Sequence, residues 1–232
     1  LKTDANDAIT VTVSAETTGP TSAAELVALT SLTGEKVLAG NIAGIWGNDQ
    51  HVDHLIDGAN AVTPTIELKS DFAVEVTGDS DVETINALSI LTDGAIKASV
   101  EDAMASLKIL TTVGTDGDEI AMKLTAAGDV NATDILALLD KTDGVALDAT
   151  AITSIRGSDD DLKSVVDKAL ADPAKVTFTT TGVSAVDIEV TSGTAVVTDG
   201  VTDQTTTYTA LKSLADFTAG VVDALPIDVI GI

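Results

Sequence analysis

The chain has 232 residues, 37 of them acidic and 12 basic, for a formal net charge of −25. That balance lacks the basic footprint that phosphate backbones and anionic lipid surfaces require, so nucleic-acid binding is excluded. Apolar residues make up 44% with mean hydropathy +0.31, enough for a packed core, yet no apolar run approaches the roughly 18 residues of a membrane span, so no membrane insertion is expected.

The apolar content is aliphatic: three Phe, one Tyr and one Trp stand among many Ala, Val, Ile and Leu. Such a core suits regular layers, and the aromatic anchors of transient interfaces are scarce. Of the acids, 28 are Asp and 9 are Glu, which places the negative charge mainly at turns and helix starts. That surface repels its own copies at low salt and is screened at the ionic strength of seawater. With no cysteine, disulfides, thiolate catalysis and Cys-type zinc sites drop out together, and export remains compatible. The first residue is Leu1, so a processed product or a fragment is expected.

In chain order, Ile9 to Ser14 alternates apolar and polar residues and predicts a strand. Ser22-Ala-Ala-Glu25 reads as a capping box opening a helix, with a left-handed stop at Gly34. A short apolar segment at Val37 to Ala39 leads to a second helix through His51 to Asp57, and Pro64 breaks the chain. The pattern restarts with a strand at Phe72 to Thr77, Asp81 capping a helix over Val82 to Ile90, a stop at Gly94, and Ala95 to Ala98. It restarts again with Ile120 to Thr125, Asn131 or Thr133 capping Ile135 to Leu139, a stop at Gly144, and Val145 to Leu147. Asp159, Asp160 and Asp161 then open a helix whose Leu162, Val165, Val166 and Ala169 form one apolar stripe. After Pro173, Val176 to Val197 reads as β, including Val186 to Thr191, before a helix over Tyr208 to Leu225.

A shift of 110 positions lays Leu26, Leu29, Gly34, Ile42, Ile45, Gly47, Val52, Leu55 and Ile56 on Leu136, Leu139, Gly144, Ile152, Ile155, Gly157, Leu162, Val165 and Val166. Upstream the shift becomes 111, pairing Ile9, Val11 and Val13 with Ile120, Met122 and Leu124. This predicts an internal duplication. The expected fold is α/β, with α+β as the alternative, built from strand, helix, short strand, helix units of about 50 residues. Residues 1–118 would hold two units, and 119–232 one regular unit and one degenerate, β-rich unit.

Few residues suggest chemistry. His51 and His54, with Asp57, share a helix face at metal-ligand spacing, but their counterparts Asp161 and Ser164 lack imidazoles, which favours exposed polar positions. Thr-Asp-Gly recurs at 92–94, 142–144 and 198–200, which turn chemistry explains better than calcium. Asp116, Asp118 and Glu119 are the best calcium candidates, and no other cofactor is expected. Neither histidine has a Ser and Asp constellation, and no glycine-rich phosphate loop occurs, so the chain is not expected to be an enzyme. Trp46 falls opposite Arg156 under the 110 shift, which points to a surface or subunit contact. The tail, with Ile227, Val229, Ile230 and Ile232 after Pro226, is a strand candidate that must pair within the chain or with a neighbour's sheet edge.

Thr21 to Ala39, Asp81 to Ala98 and Thr133 to Ala149 share Ser/Thr-x-Ala-Glu/Asp-Leu, then Leu-Thr-Gly or Thr-Asp-Gly, then Val/Ile-x-Ala. This run resembles repeats of giant extracellular surface proteins of marine cyanobacteria and related bacteria, including swimming-motility proteins and haemolysin-type adhesins. The resemblance covers about a quarter of the chain and implies an extracellular, structural or adhesive role. The expected function is a self-assembling subunit of a cell-surface filament or surface layer, a homo-oligomer or polymer joined through its chain-end strands. The alternatives are a virus structural subunit, such as a phage capsid decoration or tail protein, and a calcium-dependent adhesin module.

Overall fold

The computed structural model describes residues 8–14, 19–111, 117–125, 128–141, 146–171, 176–178, 186–192, 194–197, 212–224 and 228–231. The protein is mixed α/β, with mostly parallel strands alternating with helices. It divides into two compact units, Leu1–Glu101 with Ile109–Ile120, and Asp102–Lys108 with Ala121–Ile232.

In the first unit the order is β1 (Thr21–Ser22), α1 (Ala23–Thr30), β2 (Val37–Ala39), β3 (Gly44–Asn48), α2 (Asp49–Asn60), β4 (Ile66–Leu68), β5 (Ala73–Ser80), α3 (Val82–Leu91) and β6 (Ile96–Asp102), the last residue of which lies in the second unit. β1, β3, β5 and β6 are successive parallel neighbours, and β2 pairs in parallel with β4. Thr21, Ile45, Val74 and Ile96 stand in one register row and are all buried.

The remaining elements are α4 (Met104–Lys108), β7 (Glu119–Leu124), β8 (Asp129–Asn131), α5 (Ala132–Leu139), β9 (Leu147–Asp148), β10 (Ser154–Ser158), α6 (Asp159–Ala171), β11 (Val176–Thr177), β12 (Asp187–Ser192), β13 (Thr194–Val197), β14 (Val222–Asp223) and β15 (Asp228–Gly231). β7 begins in the first unit with Glu119 and Ile120 and continues in the second, where it forms one parallel set with β9 and β11, while β8, β10, β12 and β14 form another. Val130, Ile155 and Ile188 form its buried row, and Phe178 meets Phe217 edge to face with centroids 5.7 Å apart.

Between α1 and α2, α2 and α3, and α5 and α6 a short strand is followed by a longer one, where the sequence reading has a single strand. β3 and β10 were not foreseen, because Gly44-Ile-Trp-Gly-Asn48 and Ser154-Ile-Arg-Gly-Ser158 contain glycines that ordinarily weaken strands. Here the glycine allows close approach. A Cβ on Gly47 would lie 2.6 Å from the Ala23 Cβ, and one on Gly157 would lie 2.9 Å from that of Ala132. β3 and β10 keep the shift of 110, whereas Ala23 and Ala132 are 109 apart. Buried Leu26 therefore corresponds to buried Ile135, one residue from the Leu136 that the ungapped comparison selects.

Caps explain several boundaries. Asn48 accepts the His51 N–H at 3.0 Å, and Asp81 accepts that of Thr84 at 2.8 Å. The expected capping box at Ser22 does not form, since its hydroxyl makes no cap bond. Asn131 makes none either; its Oδ1 instead accepts from Arg156 Nε at 3.3 Å. Gly94 does not take the left-handed conformation expected of it. Its need is proximity, as a Cβ would sit 2.3 Å from the Phe72 carbonyl oxygen. Positive φ occurs instead at Gly78 (83°), within the register shift of β5 against β6. The long C-terminal helix is also revised, with helix over 212–217 followed by β14.

Candidate functional site

Along β3 and β5 the side chains alternate between core and solvent, so residues two apart share a face. Trp46 is 44% exposed and stands in register with Ser22 on one side and Glu75 on the other. Glu75 pairs in register with Lys97, and Lys97 Nζ lies 3.7 Å from a Glu119 carboxylate oxygen. The outward row is thus Ser22, Trp46, Glu75, Lys97, Glu119. Two residues earlier on the same face come Pro20, Gly44, Ala73, Ala95 and Gly117. Those small residues leave an open groove of about 610 Å³, walled by Glu75, Lys97 and Glu119. The outward row of the second unit is Asn131, Arg156, Glu189 and Asp223, so Arg156 is exposed like Trp46.

Of the calcium candidates, Asp116 lies outside the described residues. Asp118 Oδ1 accepts the Ile96 N–H at 2.6 Å, and Glu119 faces Lys97. Among the described residues no three His, Asp or Glu side chains gather as metal ligands. His51 and His54 ride on α2, beside Asp49, Asp53 and Asp57. Burial raises the Asp53 carboxyl above the usual range, helped by Asp57, Asp49 and Asp81 and opposed by His54.

The Thr-Asp-Gly motif has a structural role that its turn reading only half captured. Thr92 is buried; its Oγ1 donates to the Phe72 carbonyl at 2.5 Å and accepts the Gly94 N–H at 3.0 Å. Thr33 repeats this with the Ile9 carbonyl at 2.6 Å and the Glu35 N–H at 3.0 Å. Thr218 does so with the Val186 carbonyl and the Gly220 N–H. In each case one hydroxyl closes a turn after a helix and ties it to chain 20 to 32 residues earlier. The copies at 142–144 and 198–200 lie outside the described residues.

Near both chain ends the described residues pair within the chain, which for the tail is the first of the two arrangements the sequence leaves open. Thr12 bridges Leu38 in parallel, and β15, which includes Val229 and Ile230, pairs with β13. Backbone groups seek partners wherever they leave water, and these were within reach on the same chain. Ile227 and Ile232 lie outside the described residues. No helix among the described residues is long and apolar enough to cross a membrane. Family models, curated proteins and solved structures were compared with the chain, and none matches.

Proposed function

We propose that this protein is an extracellular structural subunit that assembles with copies of itself into a surface filament or layer. The observation that carries the reading is the stacking of parallel strands: among the described residues, β1 is an outermost strand of its sheet in the first unit, and β14 an outermost strand of its sheet in the second. Unpaired strand edges are templates for addition of another chain, and a contact between two different edges propagates unless its rotation closes a ring. The threonine ties support the reading, because each fixes a turn against an earlier segment of its own unit. Its acidic surface would make growth depend on salt.

Sedimentation velocity and negative-stain imaging across protein concentration, at low and high salt, test it. Larger species are expected to grow with both variables, and Val222→Lys, placing a charge on the β14 edge, should reduce them. A single monomer boundary under all conditions overturns the reading. Truncation of the tail is a poorer test, because it would also strip β13 of its partner.

A further inference from the structure

We propose that the groove on the outward sheet face of the first unit binds an extended, lysine- or arginine-bearing peptide segment, independently of any self-assembly. The cavity, about 610 Å³, is of the size that holds ligands rather than scattered solvent. Its floor crosses the strands, since Gly44 pairs in register with Ala73 and Ala95 immediately precedes β6. With strands about 4.8 Å apart, five of them span about 19 Å. That is the reach of roughly six extended residues.

Charge selects the occupant. The wall carries two carboxylates and one ammonium, and Lys97 faces Glu119 at 3.7 Å. Glu75 has no ion-pair partner among the described residues and neighbours Trp46 in register. A carboxylate without an ion-pair partner favours a cation, which gains a charge-assisted contact. The aliphatic stem of a lysine or arginine suits the Ala and Gly floor. An anionic partner meets a chain of net charge −25 and is disfavoured within the range that salt leaves unscreened.

Because Trp46 is the one tryptophan, its emission reports on this face alone. The full chain would be titrated with acetyl-Lys-Ala-Lys-Ala-Lys-Ala-amide, with the matching Glu peptide and with a neutral hexasaccharide, following emission and calorimetry together. Saturable binding of the basic peptide alone is expected. Glu75→Gln should weaken it about three- to fivefold, as expected for loss of one exposed charge-assisted contact. Ala73→Leu, which fills the floor, should weaken it further with unchanged circular dichroism. Should Ala73→Leu fail to fold, Glu75→Gln decides alone, being exposed. Binding untouched by Glu75→Gln would mean diffuse attraction to a polyanion and overturns the proposal. So does preference for the saccharide, or the absence of binding.

Discussion

The same substitution, threonine to valine, should have opposite effects at two buried positions of the first unit. Thr92 Oγ1 satisfies the Phe72 carbonyl and the Gly94 N–H. Valine there leaves both without a partner, and each orphan costs about 1–3 kcal/mol depending on how fully it is buried. The added methyl returns less than about 1 kcal/mol, so a net loss between about 1 and about 5 kcal/mol follows, about 3 kcal/mol at mid-range. For a protein of this size that lowers Tm by about 5–10 °C. Thr21 is as well buried, at 7% exposure against 5%, yet its Oγ1 has no hydrogen-bond partner among the described residues. Thr21→Val therefore removes a desolvated hydroxyl and breaks nothing, which should stabilise by about 1 kcal/mol.

Urea unfolding followed by circular dichroism measures both, and Thr92→Ser serves as the control that keeps the hydroxyl while losing a methyl. If both valine variants shift stability in the same direction, or if Thr92→Ser is as damaging as Thr92→Val, then hydrogen bonding is not what these threonines contribute.

Gly47→Ala should cost about 1–3 kcal/mol by overpacking against Ala23, and Ala23→Gly in the same chain should recover part of that loss in a double-mutant cycle. Gly157→Ala should behave alike against Ala132. The raised Asp53 carboxyl is a liability above its folded pKa: both states are protonated at low pH, and stability falls as pH rises through the folded value. Asp53→Asn should accordingly raise stability at pH 7 by well under about 1 kcal/mol because the site is solvated, a Tm rise of less than about 4 °C, and have no effect below the ordinary carboxylate range. Thermal melts at pH 3 and pH 7 check this, and an equal shift at both would refute it. EDTA should leave Tm nearly unchanged, since Asp118 is engaged with the Ile96 N–H; a large drop reversed by calcium but not magnesium would show otherwise.

The parts of this fold legible in sequence are those where one chain segment decides its own structure. Alternation gave β5, β7 and β12, and the stripe Leu162, Val165, Val166, Ala169 gave α6, because burial of one face follows directly from period. Asp81 was readable as a cap because its side chain needs only the backbone three residues on. β3 and β10 were not readable. Their glycines make poor strands alone and become necessary only once α1 and α5 pack across them, a relation between segments more than twenty residues apart. The same reason hid the threonine ties: Thr-Asp-Gly announces a turn, while its second partner, the Phe72 carbonyl, is set by how successive turns stack.

The outward face lies between these cases. The mismatch of Trp46 with Arg156 pointed to exposed positions, and both are exposed on equivalent strands. The groove beside Trp46 left no such mark. Gly44, Ala73, Ala95 and Gly117 are spread over more than seventy residues, and each looks like an ordinary small residue where it stands. They become a floor only through parallel register, which sets them on neighbouring strands two positions before Trp46, Glu75, Lys97 and Glu119. Register is a property of the stacked chain, so a groove built from it can be found only after the stack is known.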